Sequence, residues 1–194
     1  MRYSTEFFAI GLEARSKPAK TIILVGWEKP PWGWLKLNSD GSAINNTGKT
    51  SGGGLFRDHE GNWVKGYVRG IGHTNSFKTE LWALRDGLNI AREMGVNNLI
   101  IELDALSIVL LMNNEAETIM MEPLLSDCRS LLKQIQNKHV LHVYREANQC
   151  ADVLAKLGAQ SDSHFVVFCN PLPMVENLLA FDKGSMFCNR LVYS

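Results

Sequence analysis

Paired cysteines, long apolar runs and an excess of charge of either sign are all missing from this 194-residue chain. Its four cysteines, Cys128, Cys150, Cys169 and Cys188, form no C-x-x-C pair, so a structural zinc site is not expected. Four are also too few for a disulfide framework in a chain of this length. Reduced thiols in an intracellular setting, nuclear or cytoplasmic, are the expectation. No apolar run approaches the length of a membrane span, which argues against a membrane partner. Twenty basic and twenty acidic residues give a formal charge of zero. Neutrality excludes a strongly cationic coat and leaves a local basic face as the route to nucleic acid. The start of the chain lacks the basic region of a secretory signal: Phe7-Phe8-Ala9-Ile10-Gly11-Leu12 is short and lies between Glu6 and Glu13. Those acids also count against an organelle transit peptide without excluding one. The glycine run Gly52-Gly53-Gly54 is not followed by Gly-Lys-Ser/Thr, so it is no Walker loop. Internal repeats and low-complexity tracts are missing too.

What is present suits one globular domain with extensions: 45% hydrophobic and 21% charged residues. Pro30-Pro31 marks an extended lead into the domain proper, giving an N-terminal extension over 1–31, a domain over 32–160 and a tail over 161–194. Trp34 to Ser39 alternates as a half-buried strand, and Asp40-Gly41 is expected to turn the chain at its end. Residues 51–58 and 63–71 read as two further strands, joined by the His59-Glu60-Gly61-Asn62 hairpin into an antiparallel meander. The glycine triplet in the first of them reads either as close packing of a helix or as close approach of a nucleic-acid backbone.

From Ser76 to Met94 the apolar spacing becomes helical, with Gly95 as the stop. Leu99 to Leu103 is an apolar strand, Ala105 to Asn113 a short helix, and Pro123 opens another. Val140 to Tyr144 is a fifth strand. A last helix runs from Asn148, its cap, to Leu157 and stops at Gly158. The order predicts an α/β fold: a five-stranded mixed sheet, three strands in the meander plus two more, flanked by helices.

Four acids fall at special places in this layout. Asp40 and Asp104 end strands, and Glu80 and Asp152 lie in the first turns of helices. Singly, each has an ordinary explanation in turns, caps or the helix dipole. Together they can converge on one sheet edge, where they would repel one another unless cations lay between them. Hard divalent ions suit such an oxygen cluster, and two of them about 4 Å apart can drive an in-line phosphodiester displacement.

The motifs around these acids are Lys36-Leu37-Asn38-Ser39-Asp40-Gly41-Ser42, Gly52-Gly53-Gly54 with Arg57-Asp58, Thr79-Glu80-Leu81-Trp82-Ala83-Leu84-Arg85, Glu102-Leu103-Asp104, and His142 through Ala155. In that order they resemble the type 1 ribonuclease H family, more narrowly its plant reverse-transcriptase-like, retroelement-derived branch. The resemblance covers about residues 32–159. It implies a ribonuclease H-like fold and a monomeric nuclease that cuts the RNA strand of RNA–DNA hybrids with two Mg²⁺ ions, Mn²⁺ being an alternative. Asp40, Glu80, Asp104 and Asp152 would be the catalytic, metal-binding set. Ser42, Gly53, Asn75, Ser76, Arg145 and Asn148 would contact substrate.

Two departures from the family pattern stand out. Arg145 stands where bacterial members carry a catalytic histidine, and an arginine cannot shuttle protons at neutral pH. The basic, aromatic-rich loop that grips hybrids in some members is missing. His142 lies in a strand pattern and reads as a packed residue. Trp63, Phe77 and Trp82 likewise read as packing aromatics. These departures keep a second expectation open, a weak or inactive nucleic-acid-binding module. A related exonuclease is a third, but Asp40-Gly41-Ser42 lacks the Asp-x-Glu pair of such enzymes.

Overall fold

The structure is a computed structural model that describes residues 20–43, 48–114, 123–159 and 165–193. The Phe7–Leu12 patch and most of the loop after Ala43 lie outside these residues.

The strands are β1 (Lys20–Val25), β2 (Leu35–Ala43), β3 (Thr50–Arg57), β4 (Trp63–Gly72), β5 (Asn98–Leu103), β6 (Asn137–His142), β7 (Val166–Phe168) and β8 (Cys188–Tyr193). The helices are α1 (Ser76–Glu93), α2 (Leu106–Asn113), α3 (Pro123–Lys133), α4 (Gln149–Gly158) and α5 (Pro173–Lys183), with a 3₁₀ turn at Arg145–Ala147 before α4. The main sheet has the order β6-β5-β2-β3-β4-β7. Strands β2, β3 and β4 form the expected antiparallel meander, and β5 and β6 extend it in parallel from β2. The sheet has a sixth strand beyond the expected five, because β7 pairs with β4. Only three residues of it pair, too short a run for strand periodicity to register.

Each face of the sheet carries helices. Leu37, Phe56 and Tyr67 meet Leu81, Leu84 and Leu88 of α1, together with α2 and α3, in one core. On the other face Leu55 and Val68 meet Cys150, Ala151 and Leu154 of α4 and Val175 of α5. Burial on both faces overrides the half-buried pattern read for β2: Lys36 and Asn38, on the face opposite Leu37, are buried as well. The α1 stop is as expected. Gly95 takes φ +66°, its N–H donates to Arg92 O, and Val96 N–H donates to Ala91 O, a Schellman closure.

Two local expectations fail for physical reasons. Asp40-Gly41 is no turn: β2 runs on to Ala43, and Gly41 pairs with Gly52. The glycine is needed for space, since a Cβ there would sit 2.8 Å from the backbone nitrogen of Glu80. Asn148 sits at the N-cap position of α4, but its side chain makes no capping bond. It turns inward to β2 instead.

Two of the three glycines resolve to helix packing. A Cβ on Gly52 would lie 2.8 Å from that of Ala83 in α1, and one on Gly53 would lie 2.5 Å from the nitrogen of Ala155 in α4. The two helices therefore press on β3 from opposite faces. Ala83 follows Glu80, and Ala155 follows Asp152, by three residues, about one helical turn. Gly53 and Gly52 pair with Asp40 and Gly41. Missing side chains on β3 thus bring two acid-bearing helix turns to the strand that carries the first acid.

Of the elements outside 32–160, β7 and α5 join the main sheet and its core, while β1 and β8 pair with each other as a separate two-stranded antiparallel ribbon.

Candidate active site

Asp40 sits on β2, Asp104 directly after β5, and these strands are parallel neighbours. Glu80, in the second turn of α1, reaches across to them, and its Oε2 accepts the Gly41 N–H at 3.0 Å. One carboxylate oxygen from each of Asp40, Glu80 and Asp104 lies within 4.8 Å of the others. Asp152, in the first turn of α4, lines the same cleft as Asp40 and Asp104, a hollow of about 660 Å³. It stands outside the tight triad, and its Oδ2 accepts from Lys156 Nζ at 2.5 Å.

Crowding of like charge in a partly dry place has the expected electrostatic result. Burial, then Asp104 and Asp152, push the Asp40 carboxyl up to about 8. Burial, then Asp40 and Asp104, push Glu80 up to about 9, although the Gly41 N–H opposes this. Without an external cation the cluster holds protons at neutral pH. Three convergent carboxylates form an all-oxygen donor set, and their mutual repulsion is what a hard cation relieves. The residues present therefore fit a divalent ion.

Two protein cations stand at the rim. Arg145 Nε donates to Asp104 Oδ2 at 3.1 Å, while its side chain stays 89% exposed. Lys156 stands beside Asp152, four residues on along α4, and was not singled out from the sequence. The i,i+4 spacing was the available signal. A smaller hollow of about 250 Å³ lies on the α1 side and is walled by Ser76, Glu80, Asp104 and Arg145. Asp104 and Arg145 separate the two hollows.

The expected substrate residues divide. Ser42 lines the larger hollow and Ser76 the smaller, both with some exposure. Asn75 is exposed, but its Oδ1 accepts the Lys78 N–H at 2.8 Å and so caps α1. Gly53 is buried beneath α4, against the backbone of Leu154 and Ala155. The Asn148 side chain is buried: its Nδ2 donates to Ser39 O at 3.0 Å and its Oδ1 accepts from Asn38 at 3.1 Å. It latches α4 to β2 beside Asp40 and forms part of the wall of the larger hollow. Among the aromatics, Phe77 packs on the α1 core and Trp63 on the α4 core. Trp82 lies between the guanidinium groups of Arg69 and Arg85. His142 differs from expectation: it is exposed at the end of β6, edge-on to Tyr144.

Behind the acids lies a polar network that single residues in the sequence do not announce. Asn38 Oδ1 accepts from Trp27 Nε1 at 3.0 Å and from Arg57 at 2.7 Å, and its Nδ2 donates to Glu102 at 3.0 Å. Glu102 pairs with Lys36 at 2.6 Å, Arg57 pairs with Asp182 of α5 at 2.6 Å, and Arg57 stacks 3.6 Å over the Trp27 ring.

This fold, with a carboxylate triad at the end of its central strands, is of the ribonuclease H-like α/β class. Solved structures agree on the fold. The ribonuclease H1 of Halobacterium salinarum matches with a TM-score of 0.59 at 23% identity, over 66% of this chain and 98% of that one. The N-terminal ribonuclease H domain of rv2228c from Mycobacterium tuberculosis matches with a TM-score of 0.59 at 20% identity, over 66% and 94%. LC11-RNase H1 in complex with an RNA/DNA hybrid matches with a TM-score of 0.58 at 21% identity, over 65% and 96%.

The family model described as reverse transcriptase-like matches residues 38–158, and the chain belongs to that family. A protein of Arabidopsis thaliana, named as a candidate ribonuclease H protein, is 36% identical over 133 residues, 68% of this chain. The chain spans about a fifth of that relative, 22% of its length.

Proposed function

We propose that this chain is a metal-dependent endonuclease that hydrolyses the RNA strand of RNA–DNA hybrids. The observation that carries the reading is the convergence of Asp40, Glu80 and Asp104 within 4.8 Å, from three separate elements, with Asp152 in the same cleft. These four acids would hold two Mg²⁺ ions, with Mn²⁺ as an alternative. When bound, such ions supply charge neutralisation at the phosphate and an activated water.

The chain's own residues supply the rest. Asp40 and Glu80, raised by burial and then by their acidic neighbours, would give up their protons to hold a cation. Arg145 and Lys156 line the cleft with positive charge that holds a phosphate oxygen. Neither accepts a proton from water, so Arg145 is no substitute for a histidine base. Ser42 and Ser76 offer hydroxyls to the sugar-phosphate backbone on the two sides of Asp104. The chain's net charge of zero implies modest hybrid affinity, and its few cysteines suit an intracellular setting.

Purified protein should cut labelled RNA in a hybrid in Mg²⁺ or Mn²⁺, and Asp40→Asn should abolish this. A wild-type protein that leaves the hybrid intact at every concentration of either ion overturns the reading.

A second reading has its own support. Asp104 and Asp152 each already have a protein cation, Arg145 or Lys156, within hydrogen-bond distance. An arrangement that neutralises its own acids suits a binding module without catalysis. That module would bind hybrid equally well before and after Asp40→Asn, and would cut neither way.

A further inference from the structure

Arg145 is exposed on a three-residue turn and yet is aimed at Asp104. An exposed arginine carries about 2 kcal/mol of rotamer entropy, so its direction must come from how its backbone is held. The residues on each side of it are gripped by one side chain from a distant part of the chain. Arg190, on β8, places Nη1 2.9 Å and 2.7 Å from the two carboxylate oxygens of Glu146. The same guanidinium lies 4.2 Å over the ring of Tyr144. The pair is only partly exposed, which strengthens it relative to a rim ion pair.

The surrounding packing supports the grip. Ile23, which is opposite Arg190 in the ribbon, packs with Val25, Trp27, Val143, Tyr144 and Ala147 in a small apolar cluster. The turn itself is closed by Ala147 N–H to Tyr144 O at 2.9 Å and Asn148 N–H to Arg145 O at 3.0 Å. Arg190 and β8 lie outside the stretch matched by the family model.

We infer that Arg190 is a positioning residue: by holding Tyr144 and Glu146, the terminal ribbon sets Arg145 against Asp104 and so tunes both metal affinity and turnover at the acid cluster. The turnover part rests on the nuclease reading above, and the metal part does not. An arginine beside Asp104 competes with a divalent ion for that carboxylate. With Arg190 removed, Glu146 and the Tyr144 ring lose this grip, the turn keeps only its backbone bonds and the small cluster, and Arg145 swings more freely.

The test is a double-mutant cycle of Arg190→Ala and Arg145→Ala in the full chain, read in two ways. Mn²⁺ binding is followed by electron paramagnetic resonance, and hybrid cleavage is followed as kcat and KM separately. Circular dichroism and Tm confirm that each variant is folded. Each single variant is expected to tighten Mn²⁺ binding about three-fold. Each is expected to lower kcat, about ten-fold for Arg145→Ala and somewhat less for Arg190→Ala, with little change in KM. Adding Arg190→Ala to Arg145→Ala should change neither quantity further. Equal effects of Arg190→Ala in both backgrounds, on either readout, overturn the inference, since a general loss of stability or charge acts regardless of Arg145. No effect in the wild-type background overturns it as well.

Arg190→Lys, which keeps charge but loses the span and the stack, should fall between. Should Arg190→Ala fail to fold, Tyr144→Leu removes the stack without changing charge, and the same absence of effect in the Arg145→Ala background is required. A chain that never cleaves but shows the non-additive Mn²⁺ pattern supports the brace and rejects the nuclease reading. A chain that cleaves but shows additive effects does the reverse.

Discussion

Two halves of one strand face show what separates a structural polar cluster from a reactive one. Lys36, Asn38 and Asp40 alternate along β2 toward the same side of the sheet. Around the first two, every charge is answered: Lys36 by Glu102, Arg57 by Asp182, with Asn38 bonded to Trp27, Arg57, Glu102 and Asn148. Around Asp40 the neighbours are Glu80, Asp104 and Asp152, and its carboxyl is pushed up to about 8. Both regions are poorly solvated. The first is balanced pair by pair inside the chain, whereas at the second Arg145 and Lys156 answer only Asp104 and Asp152, from the rim. Stability explains the first arrangement. The second is the arrangement that a bound divalent cation would relieve.

The contrast can be broken from either side. The largest effect is expected at Asp40→Asn: hybrid cleavage should fall by about 10³-fold or more, equivalent to about 4 kcal/mol. The same change should raise the Tm of the metal-free protein at neutral pH, because it removes the cost of neutralising a buried, crowded acid on folding. A lower Tm would mean that Asp40 belongs with the balanced half. Arg57→Ala should act in the opposite sense. It strands Asp182 and part of Asn38 in the interior and should cost about 3–5 kcal/mol in denaturant unfolding, with lost activity secondary to lost fold. Gly53→Ala should cost about 1–3 kcal/mol, since its Cβ meets the backbone of α4 at 2.5 Å. It should also weaken metal binding by moving Asp152 outward, which Mn²⁺ titration of the folded variant would detect.

The pH dependence sharpens the comparison further. Asp40 and Glu80 have folded-state values raised to about 8 and about 9, above ordinary values of 3.8 and 4.5. The folded protein therefore binds their protons more tightly than the unfolded chain does. Their contribution to stability is fully present below the ordinary values and is lost as pH rises through about 8 to 9. Metal-free protein should lose Tm steadily from about pH 4 to about pH 9, and saturating Mg²⁺ should flatten that slope. A slope unaltered by Mg²⁺ would remove the metal from the site. The smallest effect belongs to Lys156→Ala. Its exposed i,i+4 pair with Asp152 is worth at most about 0.5 kcal/mol, so Tm should hardly move while the salt dependence of hybrid binding weakens.

Much of this was legible in the sequence because it rests on local rules. The helical spacing of Leu81, Leu84 and Leu88, the stop at Gly95 and the order of meander, strands and helices all follow from side-chain period and backbone preference. The four acids were legible as well, since each follows a recognisable element end. The reading failed where a residue's role is set by what packs on it from elsewhere. Asp40-Gly41 has the chemistry of a turn, yet Gly41 is there to admit Glu80. Gly53 has the look of a ligand cradle, yet it is filled by Ala155. Asn148 has the chemistry of a cap, yet it is spent on Ser39 and Asn38.

Between residues 32 and 160 the elements, their order and the carboxylates near their ends follow from the sequence alone, because these depend on contacts within a few residues. The tertiary structure alone decided that Asp40, Glu80 and Asp104 share one point while Asp152 stands off with Lys156. It also decided that the terminal segments close into a ribbon whose Arg190 reaches the turn carrying Arg145. Those outcomes depend on distances between residues from 24 to more than a hundred positions apart, which local preference cannot set and only tertiary packing can.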